Sequence, residues 1–162
     1  MYFQFDEEQM VESATCFLRK EGGKMNHLKL VKLLYIADRI AIFRYGSPII
    51  GGRNYSLPFG PVSSEACNIV RDQVASSLWN QFVERDSSYV IKLKSGESFS
   101  GVISDADIEI IDEVYANYGH MDEFQLSEYT HQYFKEWKEP GGGSIPITYI
   151  DMLSAMDLSE EK

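Results

Sequence analysis

Asp38 lies where an acidic side chain is least expected, on an apolar face of a long hydrophobic segment. A carboxylate there needs hydrogen bonds or a positive partner, because burying an unpaired charge is costly. One interpretation is structural, with Asp38 tying its segment to a loop or to Arg53, His120 or His131. The other is a general acid or base with a raised pKa. The structural interpretation is favoured, since buried polar groups are usually satisfied internally.

The histidines and cysteines form no pattern typical of a metal site or an activated nucleophile. His27, His120 and His131 are scattered, without His-x-x-x-His spacing or a cysteine pair beside them. Cys16 and Cys67 lie next to apolar residues and are typical of small packing side chains. We therefore expect no catalytic residue, no metal and no cofactor.

A basic edge is expected on the same segment as Asp38. At about 100° per residue, Lys29, Lys32 and Arg39 share one side of a helix, with Ile36 and Phe43 between them. The edge is either a solvated surface or a partner-binding site, in which the apolar pair anchors and the cations steer an acidic partner. Nucleic acid is the weakest candidate, because the net charge is −10.

Capping residues and apolar periodicity predict the elements that position these residues. A helix is expected from Asp6 to Lys20, and another from an Asn26 cap to Tyr45, closed by Gly46. The second is apolar nearly all round, which is typical of a buried central helix. Later helix starts are predicted at Gly60-Pro61, Ser104, Asp122 and Thr148, and a β-hairpin is predicted over Trp79 to Lys94.

These elements predict a mainly α (α+β) fold, a compact helical domain around a buried central helix with one small β-hairpin. The composition is globular, with 44% hydrophobic and 25% charged residues among 162. No apolar run approaches the roughly 18 residues of a membrane span, and the acidic N-terminus does not resemble a signal peptide. We expect a cytoplasmic protein, and the pI near 4.7 disfavours direct nucleic-acid binding.

Five stretches keep their order and spacing along the chain. They are residues 25–38 (MNHLKLVKLLYIAD), residues 44–49 (RYGSPI), Phe59-Gly60-Pro61-Val62, Tyr118-Gly119-His120-Met121, and Thr130-His131 followed by Trp137. They resemble the KLxKLLYxAD helix, the YGxPI exit, the GPV turn, the YG stop and the TH…W end of the Panacea domain, the family of SocA-like antitoxins. The resemblance divides the chain into a Panacea domain, 1–140, and a C-terminal extension, 141–162, with a short helix and an acidic tail.

The resemblance implies the antitoxin of a bacterial or phage toxin–antitoxin pair, encoded for example by a prophage. Such a protein neutralises a cognate toxin, encoded by an adjacent gene, through protein–protein contact. One alternative is a proteolytic adaptor that delivers a toxin or another partner to the ClpXP protease. A second alternative, which rests on the odd carboxylate alone, is a small enzyme that uses Asp38 as general acid or base.

Two sets of residues follow from this reasoning. The family motifs assign structural roles to Asp38, Tyr45, Gly46, Gly60, Pro61, Val62, His120, His131 and Trp137. The basic edge supplies the partner-binding set, Lys29, Lys32, Ile36, Arg39 and Phe43.

Overall fold

The first two helices lie where the sequence predicts them. In a computed structural model that describes residues 1–95 and 99–157, α1 spans Glu7–Lys20 and α2 spans His27–Tyr45. Asp6 caps the first and Asn26 caps the second, each accepting hydrogen bonds from N–H groups of the first turn. Gly46 ends α2 with a φ of 77°, a left-handed conformation that favours glycine.

Five further helices follow, and the described residues form a mixed α+β fold that is 52% helical, which confirms the predicted mainly helical content. The predicted starts at Ser104, Asp122 and Thr148 each precede a helix. The helices are α3 (Ser64–Val70), α4 (Ser77–Phe82), α5 (Asp105–Tyr118), α6 (Glu123–Tyr133) and α7 (Tyr149–Asp157). The strands are β1 (Lys24–Asn26), β2 (Asn54–Leu57), β3 (Gly60–Ser63), β4 (Val83–Arg85), β5 (Val90–Leu93) and β6 (Ile145–Ile147).

The described residues form two three-stranded antiparallel sheets, of orders β1-β5-β4 and β3-β2-β6, where the sequence predicts one hairpin. The hairpin exists as β4 and β5, with Glu84 opposite Lys92. The first part of the predicted strand, from Trp79 to Phe82, is instead helical and belongs to α4, which Ser76 caps. Strands of three residues are too short for apolar alternation to be recognised.

The helix predicted to begin at Gly60-Pro61 is wrong at its start. Residues Gly60–Ser63 form β3, paired with β2, and the helix begins only at Ser64. Pro61 lies on an edge strand, the position in a sheet where proline is tolerated. The second sheet also recruits β6 from beyond the predicted boundary at residue 140, and that domain boundary stays a prediction.

α2 packs against α1, α3, α5, α6, α7 and β3. Most of its apolar side chains are buried, Leu30, Leu33 and Leu34 among them. No helix in the described part of the chain is long and apolar enough to cross a membrane.

The prediction that the basic edge of α2 faces solvent is wrong. Exposure is 7% for Lys29, 0% for Lys32, 1% for Ile36 and 4% for Arg39, and only Phe43 is half-buried. The reason is that α5, α6 and β3 also cover this side of α2, and that acceptors from other elements meet its polar heads. A pattern on one helix cannot reveal such acceptors.

Candidate functional site

Asp38 fastens α2 to the loop that follows it. Its buried carboxylate accepts hydrogen bonds from the N–H groups of Ile49, Ile50 and Gly51 at 2.8, 2.9 and 3.0 Å. The partner of Asp38 is therefore the backbone of this loop, and not one of the three side chains that the sequence suggested. Burial raises the pKa of Asp38 to about 7, and the three N–H donors act in the opposite direction.

The same arrangement leaves Asp38 closed to a substrate. Its exposure is 1%, whereas a general base must come within hydrogen-bonding distance of the proton that it removes. The geometry is that of an anchor.

Glu12 makes a parallel contact that the sequence does not reveal. It lies in α1 with 2% exposure, and its carboxylate accepts from the N–H groups of Gly101, Val102 and Ile103 at 3.1, 2.7 and 2.9 Å. A glutamate beside an apolar stripe gives no signal that distinguishes it from a solvated one. Two buried carboxylates thus hold two loops.

Arg39 forms a buried ion pair with Glu136, which follows α6. Its Nε and Nη2 donate to the two carboxylate oxygens at 2.7 and 3.0 Å. The Tyr35 hydroxyl donates to the same carboxylate at 2.7 Å, and the guanidinium carbon lies 3.8 Å from the centre of the Phe134 ring. Burial and the adjacent carboxylate hold the pKa of Tyr35 well above its usual range. The network joins α2 to the end of α6.

Lys29 forms a similar set of contacts in the first turn of α2. Its Nζ donates to Glu21 at 2.8 Å and to the Gly119 carbonyl at 2.7 Å. The Tyr115 hydroxyl donates to the same glutamate, and burial with this neighbour raises the pKa of Tyr115 to about 12. Lys29 therefore joins α2 to the end of α5 rather than offering a charge to a partner.

Lys32 is buried with weaker support. Its Nζ lies 3.5 Å from the Pro61 carbonyl oxygen and 4.5 Å from the centre of the Phe59 ring, and it makes no ion pair with any described residue. Desolvation lowers the pKa of Lys32 to about 7. Gly60, with a φ of 119°, makes room for this side chain, because an added Cβ would lie 2.8 Å from Nζ.

The remaining motif residues differ in burial and in contacts. The His131 ring stacks on Trp137 with centroids 3.9 Å apart, and the Trp137 Nε1–H donates to the Leu57 carbonyl at 2.9 Å. This joins the end of α6 to β2. Tyr45 and His120, in contrast, are exposed. Val62 is buried in β3.

A groove of about 580 Å³ lies between α2, α5 and α6. Its lining includes Ile36, Arg39 and Phe43, so three of the five residues expected to bind a partner lie together there. Lys29 and Lys32 do not line it. The lining is completed by Ile40, Arg44, Glu113, Asn117, Tyr118, Met121, Tyr129, Phe134 and Met156.

No group of three or more histidine, cysteine or acidic side chains suited to a metal occurs in residues 1–95 and 99–157. The described site is a groove of aromatic, aliphatic and paired charged side chains, a composition suited to contact with another protein.

Comparison with known families gives the class of the protein. The family model described as "Antitoxin SocA-like, Panacea domain" matches residues 30–138, well over half of the chain. The chain therefore belongs to the SocA-like Panacea family, as its motifs predict. The matched segment contains α2 from Leu30 onward, the anchoring carboxylate Asp38, the buried pair of Arg39 and Glu136, and every residue that lines the groove except Met156. No curated protein and no solved structure matches it.

Proposed function

We propose that this protein is the antitoxin of a bacterial or phage toxin–antitoxin pair and that it neutralises its cognate toxin in the cytoplasm by direct binding. The observation that carries the proposal is family membership over residues 30–138. The toxin would be the product of an adjacent gene.

The groove supports binding rather than chemistry. Phe43 is half-buried in the lining of the groove. Arg44 and Glu113 also line the groove and form an ion pair in which each side chain is about 40% exposed. Such mixed apolar and charged surfaces are typical of protein interfaces, where a few aromatic residues supply most of the affinity. Asp38, the candidate acid or base, is enclosed in the structural core instead.

Co-expression with the adjacent gene tests the proposal. That gene alone should arrest growth, and the antitoxin should restore it. Rescue should persist in cells that lack the ClpXP protease, because direct binding requires no degradation.

Two other results would contradict neutralisation by direct binding. Rescue that disappears only in cells without ClpXP would identify the protein as a proteolytic adaptor. If neither adjacent gene is toxic, or if no toxic neighbour is suppressed, the antitoxin proposal fails.

A further inference from the structure

The groove between α2, α5 and α6 contains apolar surface that no described residue covers. Ile40, Phe43 and Met121 are half-buried in its lining, and Ile36 and Phe134 are buried there. A volume of about 580 Å³ falls within the usual range of binding sites. Covering part-exposed apolar side chains removes them from water, which favours association.

Aromatic rings of α5 and α6 lie in and beside the groove. Tyr129 lines it, and the rings of Tyr118 and Tyr133 lie 5.3 and 4.6 Å from the Tyr129 ring. Tyr133 is 43% exposed. Tyrosine is enriched at binding hot spots, because it buries a large rigid area and keeps a polar hydroxyl.

The charge beside the groove is acidic. α5 carries five acidic residues and no basic one. Asp105, Glu109 and Glu113 are spaced by four residues and therefore share one face. Glu113 lines the groove and pairs with Arg44, whereas Asp105 and Glu109 are exposed and form no ion pair within the described chain.

The accessible charge therefore has the opposite sign to the one that the basic edge of α2 suggests. Lys29 and Arg39 are neutralised inside the protein by Glu21 and Glu136. An acidic partner would meet the acidic face of α5 in a chain of net charge −10, and like charges oppose association.

We propose that the groove binds a basic, amphipathic segment of the toxin, whose apolar side chains enter beside Phe43 and whose Lys or Arg residues contact Asp105 and Glu109. This inference rests on the proposed antitoxin function and deepens it by assigning the contact surface and the chemistry of the partner.

Filling the groove tests the surface. Asn117 is an exposed residue of its lining, and its neighbour Ala116 is exposed on the same helix but outside the lining. Asn117→Trp should weaken binding to the purified product of the toxic adjacent gene by about 100-fold, the scale of a lost hot spot. The matched control, Ala116→Trp, should change the dissociation constant by less than about three-fold.

Reversing one charge tests the chemistry of the partner. Glu109→Lys should slow association about three-fold or more at low salt, and the effect should vanish at about 1 M salt, where exposed charges are screened. The double variant Gln73→Lys, Gln81→Lys adds the same net charge at exposed positions outside the groove lining. It should leave the association rate close to that of the wild type.

The outcomes separate this inference from the antitoxin proposal. If the wild type binds the toxin and Asn117→Trp binds equally well, the groove is not the interface, although the antitoxin function stands. Faster association of Glu109→Lys would indicate an acidic partner segment and overturn the charge assignment. If the wild type forms no complex, the proposed function and this inference fail together.

Discussion

Two arginine–glutamate pairs on α2 have nearly the same geometry but different surroundings. Arg39 donates two hydrogen bonds to Glu136 at 2.7 and 3.0 Å, and Arg44 donates two to Glu113 at 2.8 and 3.1 Å. The side chains of the first pair are 5% and 0% exposed, and those of the second are 42% and 40% exposed. Three of these four residues line the groove, the exception being Glu136.

The difference in burial distinguishes a pair that stabilises the fold from a pair that is available for binding. A buried pair cannot lose one member without leaving the other charge desolvated, which costs several kcal/mol. An exposed pair is hydrated in either state, so its loss costs about 1 kcal/mol or less. The buried pair therefore holds α6 on α2, whereas the exposed pair is free to exchange its partners for those of a bound protein.

The largest expected effect is the removal of the buried acceptor. Glu136→Ala leaves the Arg39 guanidinium buried without its counter-ion and the Tyr35 hydroxyl without its acceptor. We expect the free energy of unfolding to fall by about 3–5 kcal/mol, measured by urea denaturation. A loss below about 1 kcal/mol would mean that burial does not distinguish the two pairs.

Asp38 extends the comparison to a buried carboxylate that has no counter-ion among the described residues. Asp38→Ala removes the acceptor of three backbone N–H groups, and we expect a loss of about 3 kcal/mol in unfolding free energy. Asp38→Asn should cost less, because its Oδ1 still accepts from the N–H groups of Ile49 and Ile50. An unchanged melting temperature for the alanine variant would contradict the anchoring role.

Lys32 is a buried basic side chain that makes no ion pair with any described residue, so its removal should stabilise the protein. Its pKa is lowered from 10.5 to about 7, and below pH 7 the folded state must bury a charge. Between pH 7 and 10.5 the unfolded chain binds the extra proton, so the contribution of this group to stability rises with pH.

Lys32→Met should therefore raise the free energy of unfolding by about 2 kcal/mol at pH 6. The difference from the wild type should shrink towards pH 10, as denaturation at several pH values will measure. Lys138→Met, at an exposed position, is the control and should give a small difference that does not vary with pH. Destabilisation by Lys32→Met at pH 6 would show that the lysine makes an essential contact.

The smallest expected effect is the loss of the exposed pair. Glu113→Ala should change the free energy of unfolding by about 1 kcal/mol or less. Salt at about 0.5 M should reduce the change further, because dissolved ions screen the attraction between exposed charges. The measurement is the same urea denaturation as for Glu136→Ala. A loss as large as that of the buried pair would remove the distinction between structure and recognition.

Local signals in the sequence were sufficient for the long helices. Asn26, Ser104 and Asp122 each cap the helix that they predict, α1 begins one residue after its predicted start at Asp6, and Gly46 ends α2 in the left-handed conformation. Capping and termination depend on a few neighbouring residues, so that one sequence is enough to recognise them.

Contacts between residues that are far apart in the sequence could not be predicted from it. Glu136 lies 97 residues from Arg39, and without that acceptor the basic edge of α2 resembles a solvated surface. β6 pairs with β2 across a similar separation, and three-residue strands carry no clear periodicity. The composition of the groove was predictable only in part, because α2 supplies Ile36, Arg39 and Phe43 while α5, α6 and α7 supply much of the remaining lining.

Neutralisation by direct contact requires a stable complex, which is detected by the mass of the particle purified from rescued cells. The untagged antitoxin and the tagged product of the toxic adjacent gene are co-expressed in cells without ClpXP, and the affinity-purified material is analysed by size-exclusion chromatography with light scattering. Neutralisation by direct binding predicts one particle that contains both chains in a fixed ratio. Restored growth with the two proteins eluting separately, each at its own mass, would contradict it.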